Sequence, residues 1–279
     1  MLIQGKCVVV TGAASGIGRA LALAFSEHGA SHVICADVNL VGAKKVAEQV
    51  GGEALAVDVS QEASITSLID HVENEIAPID IFCSNAGILT VGGCEVANES
   101  WQKIWEVNVM SHVWAARHVV PKMIERSGGY LLNTASAAGL LNQIGAAPYG
   151  VSKHAAVGLA EWLAITYGDQ GIGVSVLCPQ AVRSEMTRGL EDHVASIDGM
   201  LEPGPVASAC MEAIEKEKFL VLPHPKVLEY LRAKTTDYER CISGMRKLGR
   251  QYKEILIYNV LQAKTLTSSL AASGPPVRR

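Results

Sequence analysis

Charge is scarce in this sequence. Asp, Glu, Lys and Arg make up 19% of it and leave a net charge of only −4. No basic run is present to neutralise a phosphate backbone, so DNA or RNA is not expected as a partner. No unbroken apolar run reaches the roughly 18 residues that a membrane span needs, and residues 1–6 are too short a lead for a signal peptide. The cysteines, seven in all, are odd in number, scattered, and without a Cys-x-x-Cys pair. That argues against a disulfide framework and leaves buried, reduced thiols and a cytoplasmic location as the expectation. The eight histidines show no ligand spacing, so no metal is expected. Finally, no linker divides the chain.

What is present is a large apolar fraction, 49% of 279 residues, enough for a sizeable core. Short runs rich in Val, Ile and Leu, at 7–11, 32–37, 54–59, 79–84, 130–135, 173–179 and 219–222, read as strands. Most lack polar alternation, as strands buried on both faces do. Between them, 19–28, 41–50, 64–76, 101–126, 149–167 and 206–216 have helical periodicity. This alternation predicts an α/β fold, a doubly wound, Rossmann-type parallel sheet of about seven strands. One domain is expected over 1–225, including a loop with a short helix at 181–205. A helical extension would follow over 226–264, then a mobile end over 265–279.

The first strand runs into Thr11-Gly12-Ala-Ala-Ser15-Gly16-Ile17-Gly18 and then a helix. Gly12 lets the chain turn, Gly16 lets a pyrophosphate approach the backbone, and Gly18 lets the helix pack on the strand. With Ser15 and Ile17 these residues form a helix N-terminus suited to an anion. A plain tight turn would look similar, but the strand before it and the helix after it favour nucleotide binding. Asp37 ends the second strand, where a carboxylate can accept from both ribose hydroxyls and repel a 2′-phosphate. Neither Ser15 nor Val38 supplies the base that NADP would want, so NAD is the expected cofactor. A solvated strand-end aspartate is the alternative for Asp37. Asp58, followed by Val59, is expected at the end of the third strand, near the adenine.

Tyr149 and Lys153 are one helical turn apart and share a face. An ammonium beside a phenol favours the phenolate, which predicts a Tyr149 pKa below the usual value of about 10. Ser136 follows the fifth strand, where it can hydrogen-bond a substrate oxygen. Asn108, between two valines in mid-helix, must find partners if buried.

Thr11-Gly12-x-x-x-Gly16-x-Gly18, Asn85-Ala86-Gly87, Asn108, Ser136 and Tyr149-x-x-x-Lys153 together resemble the short-chain dehydrogenase/reductase family in order and spacing. The match is good over residues 4–180 and looser to about 225. The resemblance implies an NAD-dependent enzyme interconverting a secondary alcohol and a ketone. Asn108, Ser136, Tyr149 and Lys153 would be its catalytic set. Lys153 would also hold the nicotinamide ribose, and Asn108 would keep a water linking Lys153 to solvent. Asn85, Ala86, Gly87, Pro179, Val182, Ser184 and Thr187 would face the cofactor. A homotetramer is implied, or failing that a dimer, paired through helices 101–126 and 149–167. Three departures stand out: Ser84 and Ala135 replace frequent residues beside the motifs, and Gln180 stands where glycine is usual, near the nicotinamide. Val91, Leu141, Gln143, Met186 and Leu190 are the expected substrate contacts, mostly apolar, and suit a neutral hydrophobic substrate. A non-catalytic dinucleotide-binding protein on the same fold is the competing reading. The complete catalytic set argues against it.

Overall fold

The first strand shows why its sequence lacks alternation. β1 (Cys7–Thr11) is buried along its whole length. Cys7 and Val9 pack into one hydrophobic cluster and Val8 and Val10 into another. A strand covered on both faces has no solvent side for polar residues to mark. It lies within one sheet with β2 (His32–Asp37), β3 (Glu53–Ala56), β4 (Ile81–Ser84), β5 (Gly129–Thr134), β6 (Ile172–Leu177) and β7 (Leu220–Val221). The order is β3-β2-β1-β4-β5-β6-β7 and every pairing is parallel. The winding direction reverses between β1 and β4, and in such sheets the ligand crevice opens there, outside the carboxyl ends of the strands. The expected doubly wound, seven-stranded sheet is the observed one. The structure is a computed structural model and describes residues 1–189 and 194–252.

The helices are α1 (Gly16–Glu27), α2 (Leu40–Val50), α3 (Glu62–His71), α4 (Asn98–Trp105), α5 (Ser111–Glu125), α6 (Ala138–Leu141), α7 (Ala147–Tyr167), α8 (Pro203–Glu215), α9 (Lys226–Thr236) and α10 (Tyr238–Gln251). One face of the sheet packs against α1, α2 and α8, through residues such as Leu21, Phe25, Val46, Val206 and Ile214. The other packs against α3, α5 and α7, through Ile65, Leu68, Val119, Met123, Ala160 and Leu163.

Two sequence expectations need correction. β3 stops at Ala56, so Asp58 and Val59 stand beyond the strand rather than at its end. Apolar composition runs on through Val57 and Val59 and carries no mark of where pairing ceases. The helix expected over 101–126 is α4 and α5 joined by a π-helical turn at Glu106–Met110. Within it lies Asn108, whose amide donates to the Ile88 carbonyl (2.9 Å) and whose carbonyl accepts from the Ile88 N–H (2.9 Å). Such turns recur where a helix is shaped around a functional side chain.

The segment after β7 forms a helical pair. Asp237 ends α9 and caps α10, accepting from the Arg240 N–H (2.9 Å). The pair leans on the chain beyond β5: Lys234 Nζ donates to the Leu140 carbonyl (2.5 Å), and Gly249 faces Ile144. The expected continuation of helix to 264 and the end over 265–279 lie outside the described residues.

Candidate active site

The glycine-rich turn is shaped by close approach. Gly12 has φ +69°, and a Cβ on it would stand 2.9 Å from Ala86 Cα. A Cβ on Gly18 would stand 2.0 Å from the Gly12 carbonyl oxygen, so only glycine lets α1 lie against this turn. Ser15 caps α1 without a side-chain hydrogen bond, and the first turn carries no acidic residue. First-turn amides that no side chain caps are well placed for an anion. Opposite them, Ser184 comes within 3.2 Å of where a Cβ on Gly16 would be.

Asp37 braces the same turn. One carboxylate oxygen accepts from the Ala14 N–H (2.9 Å) and the other from the Asn39 N–H (2.8 Å). Asp58 accepts from the Ser60 hydroxyl (2.7 Å) and N–H (2.9 Å), and that hydroxyl holds its carboxyl below the ordinary value. Asn85 stitches strand ends together. Its amide donates to the Thr11 carbonyl (3.0 Å) and its carbonyl accepts from the Thr134 hydroxyl (3.1 Å).

Lys153 is buried on α7, and its Nζ donates to the Thr134 carbonyl at 2.9 Å. Burial pushes its pKa down to about 8, which still leaves most of it charged at neutral pH. Tyr149, one turn earlier, has its ring centroid 5.8 Å from that nitrogen. The expectation of a lowered Tyr149 pKa is not met in this structure. Burial raises it, and the Ser136 hydroxyl, hydrogen-bonded to the phenol, pulls only partly the other way. The physical reason is that desolvating a phenolate outweighs a hydrogen bond, while the Lys153 ammonium is engaged by a carbonyl instead. Ser136 Oγ also donates to the Pro179 carbonyl (3.3 Å) and accepts from the Ala138 N–H (3.1 Å). Asn108 sits behind these groups, fully buried, donating also to Ser152 Oγ (3.1 Å).

A cleft of about 550 Å³ brings these parts together. Its lining includes Gly12, Ser15, Gly16, Ile17, Gly18, Asp37, Asp58, Val59, Asn85, Ala86, Gly87, Ser136, Tyr149, Lys153, Pro179, Val182, Ser184 and Thr187. Of the expected substrate contacts, Met186 lines it and Val91, Leu141 and Gln143 do not. Leu190 lies outside the described residues. Both segments are tied elsewhere. Gly92 and Ala147 bond the 91–93 loop to the chain before α7, through Gly92 N–H to the Gly145 carbonyl (2.8 Å) and Ala147 N–H to the Gly92 carbonyl (2.8 Å). The chain from Leu140 to Ile144 is engaged by α9 and α10.

Sequence reasoning missed Lys103, Thr134 and Glu185 in the lining. It also missed a buried pair behind Lys153. His112 Nδ1 lies 3.0 Å from Asn133 Oδ1, and burial, with Lys153 second, pushes the imidazole down to about 4, so it is neutral. Nothing in the spacing of His112 and Asn133 signals that contact. Among the described residues no cluster of three or more His, Cys, Asp or Glu could hold a metal ion, and no helix is long and apolar enough to cross a membrane.

The short chain dehydrogenase family model matches residues 6–195. The chain is similar to 1-deoxy-11-beta-hydroxypentalenate dehydrogenase of Streptomyces exfoliatus, 34% identical over 253 residues, covering 87% of this chain and 92% of that one. It is similar to human epidermal retinol dehydrogenase 2, 33% identical over 239 residues, covering 82% and 77%. Among solved structures, a short chain dehydrogenase/reductase from Burkholderia phymatum in complex with NAD superposes with a TM-score of 0.79 at 29% identity, covering 86% of this chain and 96% of the other.

Proposed function

Since the chain belongs to the short-chain dehydrogenase/reductase family, oxidoreductases of hydroxyl and ketone groups that bind NAD or NADP, we propose that it uses NAD to interconvert a neutral, hydrophobic secondary alcohol and its ketone. The observation that supports this most is the convergence of Ser136, Tyr149 and Lys153 on the cleft that the glycine-rich turn opens. The cradle suits a dinucleotide: the glycine contacts leave no room for side chains, and the N-terminus of α1 is uncapped by any side chain. Gly12, Ser15, Gly16, Ile17 and Gly18 would hold the pyrophosphate and Asp37 the adenosine ribose. Asp58 and Val59 would hold the adenine, Lys153 the second ribose, and Pro179, Val182, Ser184 and Thr187 the nicotinamide end. Bound nicotinamide supplies the hydride acceptor or donor. Tyr149 handles the proton at the substrate oxygen and Ser136 orients that oxygen. With its pKa raised, Tyr149 is a phenol at neutral pH and is ready to protonate a ketone oxygen. The relative named for a retinol favours a neutral alcohol, whereas the one named for a hydroxypentalenate is named for a carboxylate. Five buried thiols suit a reducing cytoplasm.

A panel of alcohols and ketones followed at the nicotinamide absorbance tests this reading. Neutral apolar alcohols should outrun small charged hydroxy acids, and kcat/KM with NAD should exceed that with NADP by about tenfold or more, about 1.4 kcal/mol. Asp37→Ala should narrow that ratio. Loss of the brace on Ala14 weakens both cofactors alike, whereas loss of the charge relieves only the 2′-phosphate. Equal use of NADP by the unmodified chain would refute the NAD assignment.

The oligomer is proposed as a tetramer, with a dimer as the alternative. Trp105 on α4 and Val151, Trp162 and Ile165 on α7 leave apolar surface exposed, Ile165 to 83%. Light scattering at micromolar concentration should give a multiple of 29.6 kDa, and Ile165→Glu with Trp162→Glu should reduce it. A monomeric wild type contradicts the proposal.

A further inference from the structure

Gln180 follows Pro179 just beyond β6, and its side chain is anchored. Its Nε2 donates to Asp198 Oδ2 at 3.0 Å. The other oxygen of Asp198 accepts from Lys226 Nζ (2.9 Å) and from the Tyr230 hydroxyl (3.0 Å), both on α9. The Asp198 side chain is 6% exposed. A carboxylate buried to that degree persists as an anion only if its donors compensate the lost water, and three do so here. These donors come from two places in the chain, the segment just beyond β6 and α9, and Asp198 itself lies in the loop before α8.

The backbone of Gln180 is held as well. Its N–H donates to His224 Nδ1 (3.2 Å), and His224 is 4% exposed. In the same peptide plane the Pro179 carbonyl accepts from the Ala137 N–H (2.8 Å) and from Ser136 Oγ (3.3 Å). This peptide is therefore gripped from both sides, and one of its partners is the serine expected to orient the substrate oxygen. A glycine in place of Gln180 would keep the backbone bonds and lose the tie to Asp198.

We propose that Asp198 is a positioning residue: through Gln180, Lys226 and Tyr230 it fastens the cleft-lining segment 179–187 to α9, and with His224 it fixes the Pro179–Gln180 peptide against which Ser136 is set. The inference rests on reading the cleft as an alcohol–ketone redox site. It assigns the appended helices a task, which is to hold the nicotinamide side of the cleft in register from outside the sheet. Misplacing an orienting hydroxyl by a fraction of an ångström slows chemistry without weakening ligand binding in proportion.

The experiment uses the full chain and five variants, Asp198→Ala, Asp198→Asn, Tyr230→Phe, Gln180→Ala and the double variant Asp198→Ala with Gln180→Ala. Amide hydrogen exchange is read in the protein without cofactor, NADH affinity by fluorescence titration, and kcat and KM with the best alcohol of the panel. For Asp198→Ala the expectation is faster exchange confined to 179–187 and α9, NADH affinity within about twofold, and kcat down about tenfold with KM little changed. Asp198→Asn, which keeps an acceptor for Gln180, should recover part of that loss, and Tyr230→Phe, which removes one donor of three, should lose least. Adding Gln180→Ala to Asp198→Ala should cost little more, since both cut one connection. Faster exchange spread through β1 and α7 would mean general destabilisation and would overturn the proposal, as would an unchanged kcat. If the unmodified chain turned over no alcohol or ketone, the functional reading would fail. Confinement of the exchange effect to 179–187 and α9 would then decide the tether alone.

Discussion

Phe at position 149 should leave a protein that folds and binds NADH but turns over about 10²- to 10⁴-fold more slowly, the range that a positioned acid/base contributes. Removal of the phenol hydroxyl deletes the proton carrier, while Ser136 keeps its bonds to the Pro179 carbonyl and the Ala138 N–H and the glycine-rich turn and Asp37 are untouched. The pH profile gives a second check. Burial raises the Tyr149 pKa, so alcohol oxidation, which needs the phenolate, should climb as pH rises toward that pKa in the unmodified enzyme, and the climb should be missing in Tyr149→Phe. Lys153→Met should behave differently and harm both turnover and NADH affinity, because Lys153 both sits beside the phenol and is proposed to hold the ribose. Retention of most activity by Tyr149→Phe would end the mechanism proposed here.

Alanine at position 18 should abolish cofactor binding and destabilise the fold. In an unobstructed helix, Gly→Ala gains up to about 1 kcal/mol from reduced chain entropy. At Gly18 the added methyl would stand 2.0 Å from the Gly12 carbonyl and 2.7 Å from Asn85 Nδ2. Asn85 belongs to the strand-end lattice made with Thr11 and Thr134, and the Gly12 carbonyl is backbone next to Thr11 in that lattice, so neither is the free end of a flexible side chain. Overpacking against such a frame costs about 1–3 kcal/mol, so the steric term wins and α1 must move off the turn. A thermal shift assay should show a lower Tm and NADH titration no saturation. Gly244→Ala on α10, where a Cβ meets nothing within 4 Å, is the matched control and should be neutral or slightly stabilising. Wild-type NADH affinity in Gly18→Ala would show that the turn is not the pyrophosphate cradle.

The parts of this protein legible in its sequence are those governed by local rules. Burial on both faces writes β1 as Cys-Val-Val-Val-Thr, and helix geometry puts Tyr149 and Lys153 on one face whatever surrounds them. Gly18 is readable because no other residue fits that approach. The tertiary structure decided what depends on contacts between distant segments. It placed Val91, Leu141 and Gln143 outside the cleft lining, since backbone pairing at Gly92 and the lean of α9 and α10 cannot be inferred from apolar character. It raised the Tyr149 pKa where the neighbouring lysine alone argued for lowering it, because desolvation is set by everything packed around the ring. It set a π-helical turn between α4 and α5 around Asn108, whose partner Ile88 lies twenty residues earlier. And it gave Gln180, legible in the sequence only as a departure, its partners at Asp198 and His224, because a hydrogen bond across eighteen or forty-four residues exists only once the chain has folded.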